Sequence, residues 1–311
     1  MKYFYDKYPG KILNTTIDRY VYVSVNVPFD RKIKVRYSKN EYVDHIQEIK
    51  HTRVKAVLKF LKMNLDNKSL EITSTADIPS RGTGLGSSSS FTVGLLHALH
   101  EHLGKKHTDR QLAEMACYVE IDILKEPIGK QDQYASAFGG INLTTFKKGG
   151  KVVVRNLPLS HVTIKELERH MLMIYTGVTR SASEILEEQK KNLSKKIPYL
   201  IKMGELAELG AKALVKSDLR RFAEILEEEW NVKKNIAPIT NKYIEDMYKE
   251  AKSLGAWGGR VSGAGGGGFM ALIVPPRKQK KIIERFKAVN VIKPRITEHG
   301  SQVICDERTW N

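Results

Sequence analysis

The stretch from Pro79 to Ser90 limits what this chain can fold into more than any other feature. It reads Pro-Ser-Arg-Gly-Thr-Gly-Leu-Gly-Ser-Ser-Ser-Ser, so Gly82, Gly84 and Gly86 occupy alternate positions. Without a Cβ, these residues allow the backbone to adopt a positive φ and to approach another group closely. An apolar run at helical spacing, residues 91–99, follows at once. We therefore predict a tight glycine loop that leads into a serine-capped helix.

A glycine loop at the start of a helix is suited to binding a phosphate chain. The first N–H groups of the helix point outward, and the helix dipole favours negative charge at that end. The loop is not a Walker A motif, because no lysine follows the last glycine, and its G-x-G-x-G spacing departs from the dinucleotide-binding pattern. The alternative is a flexible glycine–serine linker, but a linker rarely runs directly into an amphipathic helix.

Length and composition indicate a globular protein of two domains or one large domain. The chain has 311 residues, of which 41% are hydrophobic and 28% are charged. No segment is long and apolar enough to cross a bilayer, and residues 1–7 lack the apolar core of a signal peptide. The sequence contains two cysteines, Cys117 and Cys305, so a disulfide framework is not expected. These features predict a cytoplasmic protein.

The formal net charge of +17 leaves several classes of partner open. A surface for nucleic acid, a positive field that steers phosphorylated anions to an enzyme, and a lysine-rich composition with no specific partner all fit this charge. The basic residues are scattered, with short clusters at 190–191, 195–196 and 278–281. Because clustering marks a nucleic-acid footprint better than total charge does, we expect no nucleic-acid partner.

Periodicity predicts a strand-rich domain, residues 1–160, and a helix-rich domain, residues 161–311. The predicted strands cover 20–27, 32–37, 70–74, 140–146, 151–157, 171–175, 269–274 and 302–305. The predicted helices cover 52–64, 90–104, 109–124, 181–194, 197–216, 218–235, 240–254 and 277–289. Thr108 or Asp109, and the pair Ser217 and Asp218, are the predicted N-caps.

Two further segments are suited to chemistry. The second glycine loop, residues 262–268, suits close packing against a ligand or against the first loop. Glu120 and Asp132 stand on either side of a Pro/Gly turn. Phosphoryl transfer uses a metal ion bound by oxygen ligands and a carboxylate that orients or deprotonates the attacking hydroxyl. Taken alone, the two carboxylates would be interpreted as solvated surface charges, and beside two glycine loops they become candidates for this chemistry.

The histidines and Cys117 give no sign of a metal site or a nucleophile. The nine histidines lack spacing such as H-E-x-x-H, and His97 and His100, three apart on a helix, are interpreted as packed or surface residues. Cys117 lies on an apolar helix face and is predicted to be a core residue. No G-x-S-x-G elbow occurs in the sequence.

Together the motifs resemble those of the galactokinase, homoserine kinase, mevalonate kinase and phosphomevalonate kinase (GHMP) superfamily. Residues 79–90 match its phosphate loop, and residues 262–268 match the glycine loop that supports the phosphate loop. The segment 131–133 resembles the one that carries the catalytic aspartate in galactokinase-like members. Glu120 lies where the family has its Mg²⁺ carboxylate. The resemblance covers most of the chain, with three motifs in the family's order.

This resemblance implies a two-domain α+β fold, the GHMP kinase fold. The N-terminal domain would be similar to domain 2 of ribosomal protein S5, and the C-terminal domain would be ferredoxin-like. ATP and Mg²⁺ are the implied cofactors and a small sugar phosphate is the implied partner, with no membrane partner and with a homodimer left open. The family's first motif, an N-terminal strand and turn, does not occur in the printed sequence, so we expect nucleotide binding with slow turnover. A non-catalytic sugar- or nucleotide-binding relative is the alternative.

The resemblance also implies roles for individual residues. Asp132 would orient or deprotonate the sugar hydroxyl, and Lys130 would neutralise phosphate charge or be a solvated loop residue. Ser88 and Glu120 would hold Mg²⁺, with Ser87 as the alternative hydroxyl. The backbone N–H groups of residues 84–89 would bind the ATP phosphates. The implied nucleotide-binding residues are Pro79, Gly82, Gly84, Leu85, Gly86, Ser87, Ser88, Ser89, Ser262, Gly263, Gly265 and Gly266.

Within the superfamily, residues 84–91, 126–134 and 175–182 resemble the kinases that act on the anomeric hydroxyl of D-glycero-D-manno-heptose 7-phosphate. That resemblance implies the 1,7-bisphosphate as the product. The implied sugar-phosphate pocket consists of Thr176, Gly177, Thr179 and Arg180. The guanidinium of Arg180 could bind phosphate through two hydrogen bonds, and an exposed helix-terminal position explains Arg180 equally well. Another GHMP kinase, galactokinase-like or mevalonate-kinase-like, is the alternative.

Overall fold

The computed structural model describes residues 4, 7–65, 68–79, 82–178 and 193–306 of the chain. Strands and helices are mixed along the sequence. In chain order the strands are β1 (Gly10–Thr15), β2 (Val21–Asn26), β3 (Ile33–Arg36), β4 (Asn40–Val43), β5 (Leu70–Ala76), β6 (Ile141–Phe146), β7 (Val152–Asn156), β8 (Met171–Tyr175), β9 (Gly258–Val261), β10 (Phe269–Ile273) and β11 (Val291–Ile292).

The α-helices of the described residues fall between and after these strands. They are α1 (Thr52–Phe60), α2 (Ser87–His102), α3 (Asp109–Cys117), α4 (Gln131–Phe138), α5 (His161–His170), α6 (Leu193–Val215), α7 (Leu219–Lys233), α8 (Lys242–Ser253) and α9 (Pro276–Arg285). A segment of π-helix, Tyr118–Ile123, continues α3 directly.

Contacts divide the chain into two compact units, which we describe separately. Unit 1 comprises Met1–Asp18, Pro79–Leu85 and Gly140–Glu298, and unit 2 comprises Arg19–Ile78, Gly86–Gly139 and His299–Asn311. Strand β1 belongs to unit 1 because it pairs antiparallel with β6 along its whole length. Each unit is discontinuous in the sequence, because strand pairing joins segments that are far apart in it, and the predicted domain boundary near residue 160 stays a prediction.

Unit 1 contains two antiparallel sheets, one with the strand order β1-β6-β7 and one with the order β11-β8-β10-β9. Strands β6 and β7 form the predicted hairpin, and Gly149 in its turn has a φ of +76°. The second sheet lies over a core in which Leu172, Ile174 and Trp230 are buried. Strand β10 follows the second glycine loop directly, so the sheet fixes one end of that loop.

Unit 2 is built on a mixed sheet with the strand order β2-β5-β3-β4, in which β3 and β5 are parallel. Helix α2 packs on β2, and a Cβ on Gly94 of this helix would lie 3.5 Å from Val23 Cγ2. The apolar positions of α2 that follow the serines, such as Val93 and Leu96, are buried. Packing on the sheet therefore fixes the middle of α2.

Most predicted elements are confirmed in type and place, and three differ. Helix α2 begins at Ser87 with Gly86 as its N-cap, so the serines form the first turn instead of capping it. The helix predicted over 109–124 starts at its Thr108 cap but changes to π-helix at Tyr118. The strand predicted over 302–305 is wrong: these residues have no regular structure, and Ile304 is 81% exposed with no described strand beside it.

The helix predicted over 181–194 lies almost entirely outside the described residues. In the described part of the chain, we find no helix with the length and apolarity needed to cross a membrane. Cys117 and Cys305 are both free thiols. Burial raises the pKa of Cys117 to about 12, so this thiol stays protonated at neutral pH and is a core residue, as predicted.

Candidate active site

The glycines of the two loops touch through their backbones within unit 1. Gly82 and Gly84 both have a positive φ, +73° and +72°. A Cβ on Gly84 would lie 2.6 Å from the carbonyl oxygen of Ser262, and a Cβ on Gly263 would lie 2.6 Å from Gly84 Cα. Real Cβ atoms do not approach a backbone so closely, so positions 84 and 263 require glycine. Of the two partners predicted for the second loop, the structure therefore shows the first loop.

The rest of the second loop is tied to unit 1 by its backbone. A Cβ on Gly265 would lie 2.6 Å from Ile239 Cβ, and Gly266 N–H donates to Ile239 O (2.6 Å). The buried ammonium of Lys233 donates to Gly263 O (2.5 Å). Sequence reasoning missed Lys233, because it lies on α7, far from the glycines in sequence. The predicted contacts of Gly265 and Gly266 with a nucleotide stay a prediction.

The first loop continues into α2 in unit 2. Gly86 is the N-cap, with a φ of +72°, and the first helical hydrogen bond runs from Ser90 N–H to Gly86 O (2.9 Å). The N–H groups of residues 87–89 precede this bond and so have no carbonyl partner within the helix. No acidic side chain lies in the first turn. The dipole and the outward N–H groups of a helix start suit an anion.

Asp132 lies directly against the start of α2. It is in the first turn of α4, two residues after the N-cap Lys130. A Cβ on Gly86 would come within 3.3 Å of Asp132 Cβ and 3.7 Å of Asp132 Oδ2. The hydroxyls of Ser90 and Ser136 lie 2.9 Å apart and fix the same pair of helices. The structure thus brings the candidate aspartate beside the end of the candidate phosphate loop.

Glu120 is fully buried in the π-helical segment, with 0% of its surface exposed. Its Oε2 accepts hydrogen bonds from Ser89 Oγ (2.8 Å) and from Gln133 Nε2. Its Oε1 accepts from Thr92 Oγ1 (2.7 Å) and from Arg53 Nε (3.3 Å). One carboxylate therefore joins α1, α2 and α4 to the π-helical segment.

The Glu120 carboxylate belongs to a cluster of one cation and two anions. Arg53 Nη2 donates to both carboxylate oxygens of Glu126 (2.5 and 2.7 Å). Burial raises the pKa of Glu126 above its ordinary value, and the Glu120 charge adds to this rise while Arg53 opposes it. With all three groups ionised, the cluster carries a net charge of −1, which suits a nearby cation.

The two predicted metal ligands fit Mg²⁺ unequally. Ser88 is partly exposed in the first turn of α2. Both oxygens of Glu120 already accept hydrogen bonds from protein donors, so a metal ion would bind Glu120 only in exchange for one of these bonds. The net charge of Arg53, Glu120 and Glu126 favours a bound cation, but both Glu120 oxygens are hydrogen-bonded without one. The assignment of Ser88 and Glu120 as metal ligands stays a prediction.

The candidate substrate residues that the structure describes lie at the end of β8 in unit 1. Thr176 is fully buried, and its Oγ1 and its N–H both donate to Gly268 O at 2.9 Å. Gly177 has a φ of +72° and open space where a Cβ would point. Thr176 therefore fastens β8 to the second glycine loop. Thr179 and Arg180 lie outside the described residues, and Pro79 is exposed before the first loop.

Sequence reasoning missed three of the residues that donate hydrogen bonds to Glu120. The position of Thr92 could have been found from the sequence, since it lies three residues after Ser89 on the same face of α2. The position of Gln133 next to Asp132 gave a weaker indication. Nothing in the sequence indicated Arg53, because only the packing of α1 brings it close to Glu120.

Similar proteins are known for both the sequence and the fold. The family model described as GHMP kinases N terminal domain matches residues 52–140, and the one described as GHMP kinases C terminal matches residues 211–292. A curated D-glycero-alpha-D-manno-heptose 7-phosphate kinase from Campylobacter jejuni is 32% identical to this chain over 91% of the chain and 86% of the relative. A galactokinase from Pyrococcus furiosus is 28% identical over 67% of the chain and 65% of the relative.

Among solved structures, a D-glycero-D-manno-heptose 1-phosphate kinase from Bacteroides thetaiotaomicron has a TM-score of 0.78 to this chain. It is 28% identical, and the match covers 96% of this chain and 92% of the other. A putative sugar kinase from Campylobacter jejuni has a TM-score of 0.71 at 27% identity, over 93% of this chain and 88% of the other.

Proposed function

Since this chain belongs to the GHMP kinase family and is similar to heptose kinases within it, it is an ATP-dependent kinase of a sugar hydroxyl, and we propose that its substrate is D-glycero-D-manno-heptose 7-phosphate. Phosphate would be transferred to the anomeric hydroxyl to give the 1,7-bisphosphate. The relative named as a heptose 7-phosphate kinase supports this choice, and the solved structure named as a heptose 1-phosphate kinase supports a heptose substrate. The observation that carries the phosphoryl-transfer chemistry is the position of Asp132 against the N-cap of α2.

The proposed phosphate site is the backbone of residues 84–89. The N–H groups at the start of a helix point outward and bind phosphate oxygens well, and the missing Cβ at Gly84 and Gly86 keeps the backbone accessible. The remaining nucleotide-binding residues predicted above belong to this proposal. Mg²⁺, when bound, would bridge phosphate oxygens and offset their charge. Ser88 and Glu120 are its proposed ligands, with Ser87 as the alternative hydroxyl.

Asp132 is the proposed catalytic residue. Its carboxylate would accept a hydrogen bond from the sugar hydroxyl, orient that oxygen towards the terminal phosphorus and take its proton. Lys130 would offset charge on the transferring phosphoryl group. Thr176, Gly177, Thr179 and Arg180 are the proposed residues for the sugar phosphate, with the guanidinium of Arg180 as its phosphate donor group.

A substrate panel tests the proposal. ADP release would be measured with ATP, Mg²⁺ and one acceptor at a time: heptose 7-phosphate, the unphosphorylated heptose, galactose, fucose and mevalonate. We expect the highest kcat/KM for heptose 7-phosphate, with phosphorus NMR showing a new phosphate at the anomeric carbon. A higher kcat/KM for galactose or mevalonate would assign the chain to another branch of the family.

The mechanism is tested with Asp132→Asn against Asp122→Asn, an exposed aspartate ten residues earlier. We expect Asp132→Asn to lower kcat by about 10²–10⁴, because general-base catalysis contributes that much, while calorimetry shows nucleotide binding unchanged. The kcat of Asp122→Asn should equal that of the unmodified protein. Full turnover in Asp132→Asn would remove Asp132 from the mechanism, and nucleotide binding without ADP release in the unmodified protein would favour the non-catalytic alternative.

A further inference from the structure

The C-terminal end of α2 brings several histidines together within unit 2. His97 and Glu101 are four residues apart and so lie on the same face of this helix. The chain then reverses at Gly104, whose φ is +64° and whose N–H donates to Glu101 O (2.9 Å). Lys105 N–H donates to His100 O (2.9 Å), which completes a glycine-capped helix end. This turn returns His107 to the helix.

The returned histidine completes a set of metal-binding atoms. One nitrogen or carboxylate oxygen from each of His97, Glu101 and His107 lies within 4.8 Å of the other two. The rings of His97 and His107 meet edge to face, with centroids 4.4 Å apart and an interplanar angle of 86°. Small side-chain rotations would bring these three atoms to one ion, because two of the side chains start from a single helix face.

The ring nitrogens around this point lack partners. Within the described part of the chain, both ring nitrogens of His100 and both of His107 are shielded from solvent and have no hydrogen-bond partner. His100 is 9% exposed, and its ring centroid is 5.5 Å from that of His107. A neutral imidazole has one donor and one acceptor, and leaving them unpaired in the interior is costly. For His107, a bound ion would supply the missing partner of one ring nitrogen.

His97 has the hydrogen bond that metal-bound histidines have. Its Nδ1 lies 2.9 Å from Ser301 Oγ. Metal-ligating histidines almost always donate their second ring N–H to an oxygen, which fixes the tautomer and the ring orientation. A bond from Nδ1–H to Ser301 leaves the lone pair of Nε2 for an ion.

We propose that His97, Glu101 and His107 bind one divalent transition-metal ion, with Zn²⁺ the best match. Two imidazoles and a carboxylate are ligands that Zn²⁺ prefers, with water in the fourth position, whereas Mg²⁺ prefers oxygen alone. A cation is also favoured at this end of α2 by the helix dipole. The ion would fasten the helix end to the turn before α3 and, through Ser301, to the segment after residue 298.

This site is separate from the proposed nucleotide site. Residues 87 and 97 of α2 are ten positions apart, or roughly 15 Å along the helix axis. The interpretation of His97 and His100 as packed or surface residues did not include His107. A packed histidine cluster without a ligand predicts no stoichiometric metal binding, so the two explanations give different results.

The test uses tag-free protein freed of metals with a chelator and then titrated with Zn²⁺ by calorimetry, in excess Mg²⁺ and without nucleotide. Cys305 is exposed and near Ser301 in sequence, so all variants carry Cys305→Ser to remove a competing thiol. His107→Asn removes a ligand, and Ser301→Ala removes the hydrogen bond to His97. His161→Asn, at an exposed histidine of unit 1, is the matched control. Titration with Co²⁺, followed by visible absorption, reports ligand geometry.

We expect one equivalent of Zn²⁺ to bind to the parent and the His161→Asn protein. His107→Asn should weaken binding by more than about 100-fold and Ser301→Ala by about tenfold, because partners of the ligands change metal affinity by 10- to 100-fold. The absence of stoichiometric binding in the parent, or equal binding by His107→Asn and His161→Asn, would overturn the proposal. If His107→Asn fails to fold, two other results together would overturn the proposal. These are an unchanged Zn²⁺ affinity in Ser301→Ala and an octahedral Co²⁺ spectrum in the parent protein.

Discussion

Helix α2 has buried polar groups at both ends, and the two ends differ in how those groups are hydrogen-bonded. At the N-terminal end, the two oxygens of Glu120 accept hydrogen bonds from Ser89, Thr92, Gln133 and Arg53. At the C-terminal end, the ring nitrogens of His100 and His107 have no partner among the described residues. The same helix therefore has a carboxylate with both oxygens bonded near one end and two imidazoles with unpartnered nitrogens at the other; beside the carboxylate, Gln133 Oε1 also lacks a partner in the described ranges.

The contrast separates two uses of buried polarity. A carboxylate whose two oxygens are both bonded to the protein holds its neighbours in place without a ligand, so the start of α2 can be in place before any anion binds. An unbonded cluster raises the free energy of the folded protein until a ligand supplies the missing bonds. The free energies of unfolding of single variants can therefore distinguish the two ends of α2.

Glu120→Ala should have the largest effect. It removes the acceptor shared by three buried or half-buried donors and leaves Arg53 with Glu126 alone. Each buried donor left without an acceptor costs about 1–3 kcal/mol, so urea denaturation should show the unfolding free energy falling by about 4 kcal/mol. Asp122→Ala, at an exposed carboxylate two positions away, should cost less than about 0.5 kcal/mol. Equal stability of the two variants would mean that the Glu120 cluster does not hold the N-terminal end.

Gly84→Ala should come next. The new Cβ would lie 2.6 Å from Ser262 O and would hold a φ of +72°. Backbone strain and overpacking together cost about 3 kcal/mol. Gly149→Ala is the control, because it has nearly the same φ, +76°, with nothing within 4 Å of the new Cβ, and should cost about 1 kcal/mol. Matching urea midpoints for both variants would show that the two glycine loops do not touch as described.

Thr92→Val removes one hydrogen bond to Glu120 while the volume of the side chain stays nearly constant. The variant loses the hydrogen bond from Thr92 Oγ1 to Glu120 Oε1 (2.7 Å) and leaves that oxygen with Arg53. Hydrogen bonds to charged groups contribute about 2 kcal/mol, so thermal and urea unfolding should both show a loss of that size. An unchanged free energy of unfolding would show that the hydrogen bond from Thr92 to Glu120 does not stabilise the protein.

His100→Leu should act in the opposite direction at the other end. It replaces two unpartnered ring nitrogens by apolar carbon in a buried position, and His100 is not one of the proposed metal ligands. In chelator, we expect the unfolding free energy to rise by about 1 kcal/mol, because a buried unpaired polar group is removed. Destabilisation comparable to that of Thr92→Val would show that His100 has a partner in solution and would remove the contrast between the two ends.

Local patterns predicted much of the fold. Thr108 and Gln111 form the capping box at the start of α3, and Gly149 turns the hairpin between β6 and β7, as their residue types indicate. The strand predicted over 302–305 failed because alternation alone does not supply a neighbouring strand. The π-helical turn at Tyr118 was not predicted, because no local pattern distinguishes a π-turn from an α-helix and the burial of Glu120 depends on tertiary contacts.

The sequence by itself determined the two glycine loops, the helix that follows the first loop and the family to which the chain belongs, because these depend on residue types at short spacing. Tertiary structure decided which polar groups meet. Arg53 reaches Glu120 across 67 positions, and Ser301 reaches His97 across 204. Contacts so distant in sequence arise when apolar faces pack and leave particular polar atoms buried side by side, and no local pattern specifies which atoms these are.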